Sequence, residues 1–94
     1  MHKLEAHEVA SRLVTRHGWA DEGGALVRTF ELPDYHRVMA LVNAIAFVAH
    51  AQDHHPDLSV HYAKVVVRYT THDAGGISEL DFAAVDRIER LLAG

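Results

Sequence analysis

The feature that most constrains this chain is a long apolar period in its middle. Val38, Leu41, Val42, Ile45, Val48 and Ala49 recur at i, i+3, i+4, i+7, i+10 and i+11, the spacing of one face of an α-helix. Asp34 stands where an N-cap belongs. Pro56 biases His55 away from helical geometry, so the helix is predicted to run from Asp34 to Asp53 or His54. The chain has 94 residues, enough for one modest core and too few for two. It reads as a single domain over residues 1–94.

The flanks supply those elements. Residues 4–17 place Ala6, Val9, Ala10 and Leu13 at helical spacing, with Gly18 as a C-terminal stop. Trp19 to Glu22 reads as a short strand, Gly23-Gly24 as a hairpin turn and Ala25 to Leu32 as the returning strand, ended by Pro33. Beyond the long helix, Leu58 to Tyr62 and Val65 to Thr71 are strand-like, joined by a tight Ala63-Lys64 turn. Asp73 to Gly76 is a loop. Ser78 is an N-cap with Asp81 at the third helical position, and Ile77 and Phe82 are spaced as a hydrophobic staple. The last helix runs to about Ala93, with Leu80, Ala84, Ile88 and Leu91 on one face. Helix, hairpin, long helix, hairpin, helix is the order of an α+β two-layer domain, an antiparallel sheet with helices packed on one face.

Bulk properties narrow the function. The net charge of −4 argues against nucleic-acid binding, which needs a basic footprint. No segment has the apolar length of a signal peptide or a membrane span, so a cytoplasmic protein without a membrane partner is expected. There is no cysteine, hence no disulfide frame and no thiolate metal site. Val65, Val66 and Val67 put apolar groups on both faces of one strand, and the chain is short; both features favour a homo-oligomer.

Histidine is the unusual component: nine are present, and five of them fall between His50 and His72. His50 and His54 share a helical face if the helix persists, and Asn43 lies on it too. His55 sits just past the helix, where Pro56 fixes a bend, and His72 follows a strand. A helix end and a strand end that converge would gather three imidazoles at the rim of the sheet. Elimination of water needs one group to protonate the leaving hydroxyl and another to accept a proton from the neighbouring atom. Imidazole, with its ordinary pKa of about 6.5, serves either role near neutrality. Asp53, Asp73 and Asp81 are placed to orient or charge such imidazoles. Competing readings are plain surface histidines, a His50/His54 zinc half-site, and Asp81 as no more than a capping partner of Ser78. His2, His7, His17, His36 and His61 read as solvated, and Gly75-Gly76 as turn chemistry.

His54-His55-Pro56, then Tyr62, then Thr70-Thr71-His72-Asp73 and Gly75-Gly76, then Asp81 together resemble the signature of the pterin-4a-carbinolamine dehydratase family. Gly18-Trp19, Phe30-Glu31-Leu32 and Ala49-His50 extend the resemblance over nearly the whole chain. The resemblance implies two helix-flanked hairpins forming a four-stranded antiparallel sheet. It implies dehydration of 4a-hydroxytetrahydrobiopterin to quinonoid dihydrobiopterin, recycling the pterin of an aromatic amino acid hydroxylase, with no metal and no organic cofactor. It also implies a homo-oligomer, a tetramer or a dimer. Carried over residue by residue, His54, His55 and His72 match the catalytic histidines and Asp81 the family's later acid. Asp53, His54, His55, Thr70, Thr71, His72 and Asp73 match the segments that contact the pterin. Many members have Glu where this chain has His50, and Trp where it has Leu58. Some relatives bind a transcription factor, and others assist assembly of a carbon-fixing enzyme. A non-catalytic binding or coactivator module is therefore the alternative function on the same fold.

Overall fold

The computed structural model describes residues 2–93. Its elements follow the expected order: α1 (Ala6–Leu13), β1 (Ala20–Glu22), β2 (Ala25–Glu31), α2 (Tyr35–Gln52), β3 (Asp57–Val60), β4 (Lys64–Tyr69), a 3₁₀ turn (His72–Ala74) and α3 (Glu79–Ala93). The described strands form one antiparallel sheet ordered β1-β2-β4-β3, so the second hairpin joins the first through its second strand. The β2–β4 register sets Leu26 opposite Tyr69 and Phe30 opposite Val65. Period two then puts Leu26, Phe30, Val65, Val67 and Tyr69 on one face. All five are buried in one cluster with Val38, Leu41, Ile45 and Val48 of α2 and with Phe82, Val85 and Ile88 of α3. This is the expected two-layer α+β arrangement, with the helices on one face of the sheet.

Local chemistry explains most boundaries. Asp34 caps α2 by accepting the Arg37 N–H at 2.8 Å. Gly23 and Gly24 take positive φ of 61° and 82°, the pair of left-handed residues that a two-residue hairpin turn requires.

Several expectations are corrected. The first helix stops at Leu13 instead of reaching His17. No apolar residue extends its buried face past Leu13, and short-range bonds from Arg16 N–H to Leu13 O and from Trp19 N–H to Arg16 O wind the chain into the first strand. Trp19 precedes that strand and packs edge-on against Phe30, centroids 6.2 Å apart. The second hairpin reverses over His61 to Ala63, closed by the His61 N–H on Lys64 O, and not over Ala63-Lys64. Tyr62 is thus outside β3 and stacks on Tyr35. β4 ends at Tyr69, and Thr71 keeps only an isolated bridge to Gly76. On α3 the buried stripe is Asp81, Phe82, Ala84, Val85 and Ile88, while Leu80 and Leu91 are exposed. Val66 lies half-buried on the helix-free face of an interior strand, opposite in facing to Val65 and Val67.

Candidate active site

The C-terminus of α2 builds one wall of the site. The His54 N–H reaches back to Ala49 O at 3.1 Å and the Asp53 N–H to His50 O at 3.2 Å, the two bonds of a Schellman motif. Asp53 occupies its left-handed position with φ 52°, where glycine is usual and aspartate is tolerated. The consequence is a correction to the sequence reading. The helix does not persist to His54, so His50 and His54 do not share a helical face. His50 stays on the helix and is exposed, and the chain turns His54 inward.

The opposite wall comes from the segment after β4. Thr71 and Gly76 pair through reciprocal backbone bonds of 3.0 and 3.3 Å, pinching off the loop that presents His72 and Asp73. Thr70 Oγ1 donates to Gly24 O at 3.0 Å and ties that segment to the first hairpin. Between the walls lies a cleft of about 360 Å³ lined by Asp53, His54, His55, Thr70, Thr71, His72, Asp73 and Leu80. Seven of these residues are the set that the sequence resemblance brought forward, and the fold gathers them at one place. His55, His72, Asp53 and Asp73 are exposed there, whereas the His54 side chain is only 12% exposed.

Asp81 lies beneath the cleft, fully buried, and reaches a ligand only through its neighbours. Its Oδ1 meets His54 Nε2 at 2.6 Å. Its Oδ2 accepts from Thr71 Oγ1 at 2.8 Å and from the Ser78 N–H at 2.9 Å. Ser78 Oγ contacts Thr71 Oγ1 at 2.7 Å and accepts the Leu80 N–H at 3.2 Å. Because the Thr71 hydrogen is spent on Asp81, Ser78 is the donor to Thr71. Asp81 makes both contacts: Oδ2 caps the helix with Ser78, and Oδ1 meets His54. With Asp81 ionised, the proton of this contact belongs to His54 Nε2, and among the described residues no hydrogen bond reaches His54 Nδ1.

Tyr69 and Leu80 were not singled out as site residues by the sequence. Tyr69 is fully buried and stacks on His54, with ring centroids 5.6 Å apart and planes 20° from parallel. Burial, and secondarily the charge of Asp81, pushes its phenol up to about 12. The alternation Val65, Val67, Tyr69 already placed it on the core face; its meeting with His54 depends on the turn at Asp53. Leu80 was assigned to the buried face of α3 and instead forms the apolar part of the cleft.

Comparison with known proteins adds the following. The chain matches the family described as Pterin 4 alpha carbinolamine dehydratase over residues 2–91. It is 54% identical, over 96% of its length and 78% of the relative, to a protein of Xanthomonas oryzae pv. oryzae that bears the name pterin-4-alpha-carbinolamine dehydratase. A protein of the same name from Xanthomonas campestris pv. campestris is 51% identical with the same coverage. Among solved structures, the transcriptional coactivator/pterin dehydratase of Brucella melitensis superposes with a TM-score of 0.90 at 26% identity, covering 96% of this chain and 98% of that one. A pterin dehydratase-like RuBisCO assembly factor of the α-carboxysome shares the fold, with a TM-score of 0.67 at 22% identity over 80% of this chain and 89% of its own.

Proposed function

The chain belongs to the pterin 4 alpha carbinolamine dehydratase family, and from that premise we propose that it dehydrates a 4a-hydroxytetrahydropterin with His54 as general base. The observation that carries this reading is the 2.6 Å contact between His54 Nε2 and buried Asp81 at the floor of the cleft. In the reaction the C4a–O bond breaks and the hydroxyl leaves with an added proton as water. The proton on N5 passes to a base, and its bonding pair closes the C4a=N5 double bond. Asp81 occupies Nε2, so Nδ1 of His54 is the nitrogen that takes the N5 proton. Asp81 then steadies the imidazolium, as an aspartate does beside the histidine of a hydrolase triad. His72, free at the other wall, supplies the proton to the leaving hydroxyl; two groups in different protonation states divide the work. His55, held beside Pro56, positions the pterin together with Asp53, Thr70 and Asp73, and Leu80 covers a ring face. This chemistry calls for no metal and no organic cofactor. The product suits recycling after an aromatic amino acid hydroxylase.

The test is turnover of a synthetic 4a-carbinolamine above its spontaneous dehydration. His54→Ala and His72→Ala each cut kcat, within the roughly 10²–10⁴-fold that positioned proton transfer supplies, and the losses do not add. His55→Ala raises KM more than it lowers kcat. Parent turnover at the spontaneous rate would refute the reading and leave the non-catalytic one, the role named for the RuBisCO assembly factor of the same fold.

Self-association belongs to the same proposal. The outer side of α2 is apolar as well: Phe47 is 77% exposed beside Ala51 and the exposed Leu91 of α3. An exposed apolar strip of this kind is ordinarily covered. Light scattering at micromolar concentration reads a dimer or tetramer mass, and a monomer mass would overturn this part. Among the described residues no helix is long and apolar enough to cross a membrane.

A further inference from the structure

Tyr69 is a buried titratable group that the dehydration chemistry above does not use. Its ring is the only aromatic surface, among the described residues, stacked against His54, and its hydroxyl oxygen is buried without a hydrogen-bond partner. A buried hydroxyl left unpaired is costly, so the value of this residue to the fold does not come from that atom. The ring has a clear use. Asp81 grips His54 at one atom, and a single contact leaves an imidazole free to rotate about it. A flat partner lying 20° from the ring plane at 5.6 Å removes that freedom.

We propose that Tyr69 is a positioning residue: its ring is the platform that keeps His54 in the plane where Nε2 meets Asp81 and Nδ1 is left to the substrate. This rests on the reading of His54 as the base, and it adds a second, non-polar restraint on that group. The restraint enters from β4, whereas Asp81 enters from α3, so the imidazole is fixed by two elements independently of its own turn. Misplacing a reacting group by about 1 Å can cost about 10²-fold. Losing the platform should therefore lower kcat and leave KM, which the exposed cleft residues set.

Three variants test it. Tyr69→Phe keeps the ring, and is expected to retain at least about half of the parent kcat. Tyr69→Leu and Tyr69→Met fill the space without a flat face. They are expected to lose about tenfold or more in kcat with KM within about twofold, in protein shown to be folded by circular dichroism. Nitrogen-15 NMR of the ring gives a readout independent of turnover. The parent and Tyr69→Phe show one His54 tautomer with the proton on Nε2, and the two aliphatic variants show averaged ring nitrogens. An aliphatic variant with parental kcat and a fixed tautomer overturns the platform. So does a Tyr69→Phe variant that loses as much as Tyr69→Leu, which would assign the role to the hydroxyl. If the parent itself fails to turn over the carbinolamine, the reading of the function falls, and the NMR comparison still decides whether the ring orients His54.

Discussion

Glu79 and Asp81 stand two residues apart in the first turn of α3, and each holds a partner from a distant part of the chain. Glu79 meets the Arg12 guanidinium of α1 with both oxygens, in a pair whose side chains are 33% and 61% exposed. Alongside it Arg16 holds Asp86 at 2.8 and 2.9 Å, and both arginines lie over the Phe82 ring. Asp81 meets His54 in a pair whose side chains are 0% and 12% exposed. The outer clasp consists of long side chains in water, where an ion pair is worth about 0–1 kcal/mol. The inner contact sits where nothing can relax to replace a lost partner, and removing one side of such a pair is expensive. Contacts of the same kind therefore differ in what they hold: the outer one joins two helices in water, and the inner one anchors one atom of a nearly buried imidazole.

Three changes press on that contrast. The largest effect is expected from Asp81→Asn. An amide can donate to Nε2 and invert the His54 tautomer, so kcat should fall about 10²-fold or more, while the lost charged acceptor for Thr71 and Ser78 lowers stability by about 1–3 kcal/mol. Rates and urea midpoints measured on the same preparation separate the two; an unchanged kcat would make Asp81 a helix cap alone.

An intermediate effect is expected at high pH, again on the buried side. The Tyr69 phenol is raised from 10.0 to about 12 in the fold, so between those values the folded chain binds more protons than the unfolded one. Its contribution is fully present below about pH 10 and is lost as pH rises through about 12. The loss is at most about 3 kcal/mol, and Tyr69→Phe should flatten that part of the stability curve in alkaline urea titrations.

The smallest effect is expected from Glu79→Gln in the outer clasp. The hydrogen bond from Arg12 holds the Glu79 carboxyl below its ordinary 4.5. The contribution is present above that value and is lost as pH falls through the lowered one. Thermal melts at neutral pH should show less than about 1 kcal/mol, and raised salt should remove the difference. A larger loss would mean that the clasp is not the weak partner in the comparison.

What the sequence makes legible follows the same division between local and distant causes. The α2 period, the Asp34 cap, the Gly23-Gly24 turn and the Ser78/Asp81 spacing are local signals, and each appears in the structure where it was read. Pro56 placed the end of α2 to within one or two residues. The form of that end was not legible, because Asp53 fills a position that glycine usually announces. The seven cleft residues were gathered by resemblance, and periodicity alone reached only the three imidazoles and their neighbouring acids. The faces of α3 were misread at Leu80 and Leu91 because which side of a short helix is covered depends on where α1 and the cleft lie. The stacking of Tyr69 on His54 joins residues brought together by a turn and a sheet register, and neither residue carries a mark of it.

The double duty of Asp81 bears on how relatives of this chain should be read. One oxygen starts the last helix and the other steadies an imidazole. Selection for a folded chain alone would keep the residue, and with it the pairing of His54, long after turnover had ceased to matter. An aspartate at this place in a distant sequence is therefore poor testimony to activity. His72 is better testimony. Its side chain is exposed, and among the described residues its ring takes part in no hydrogen bond. A lineage that abandoned the reaction could drop that ring at no cost in hydrogen bonds.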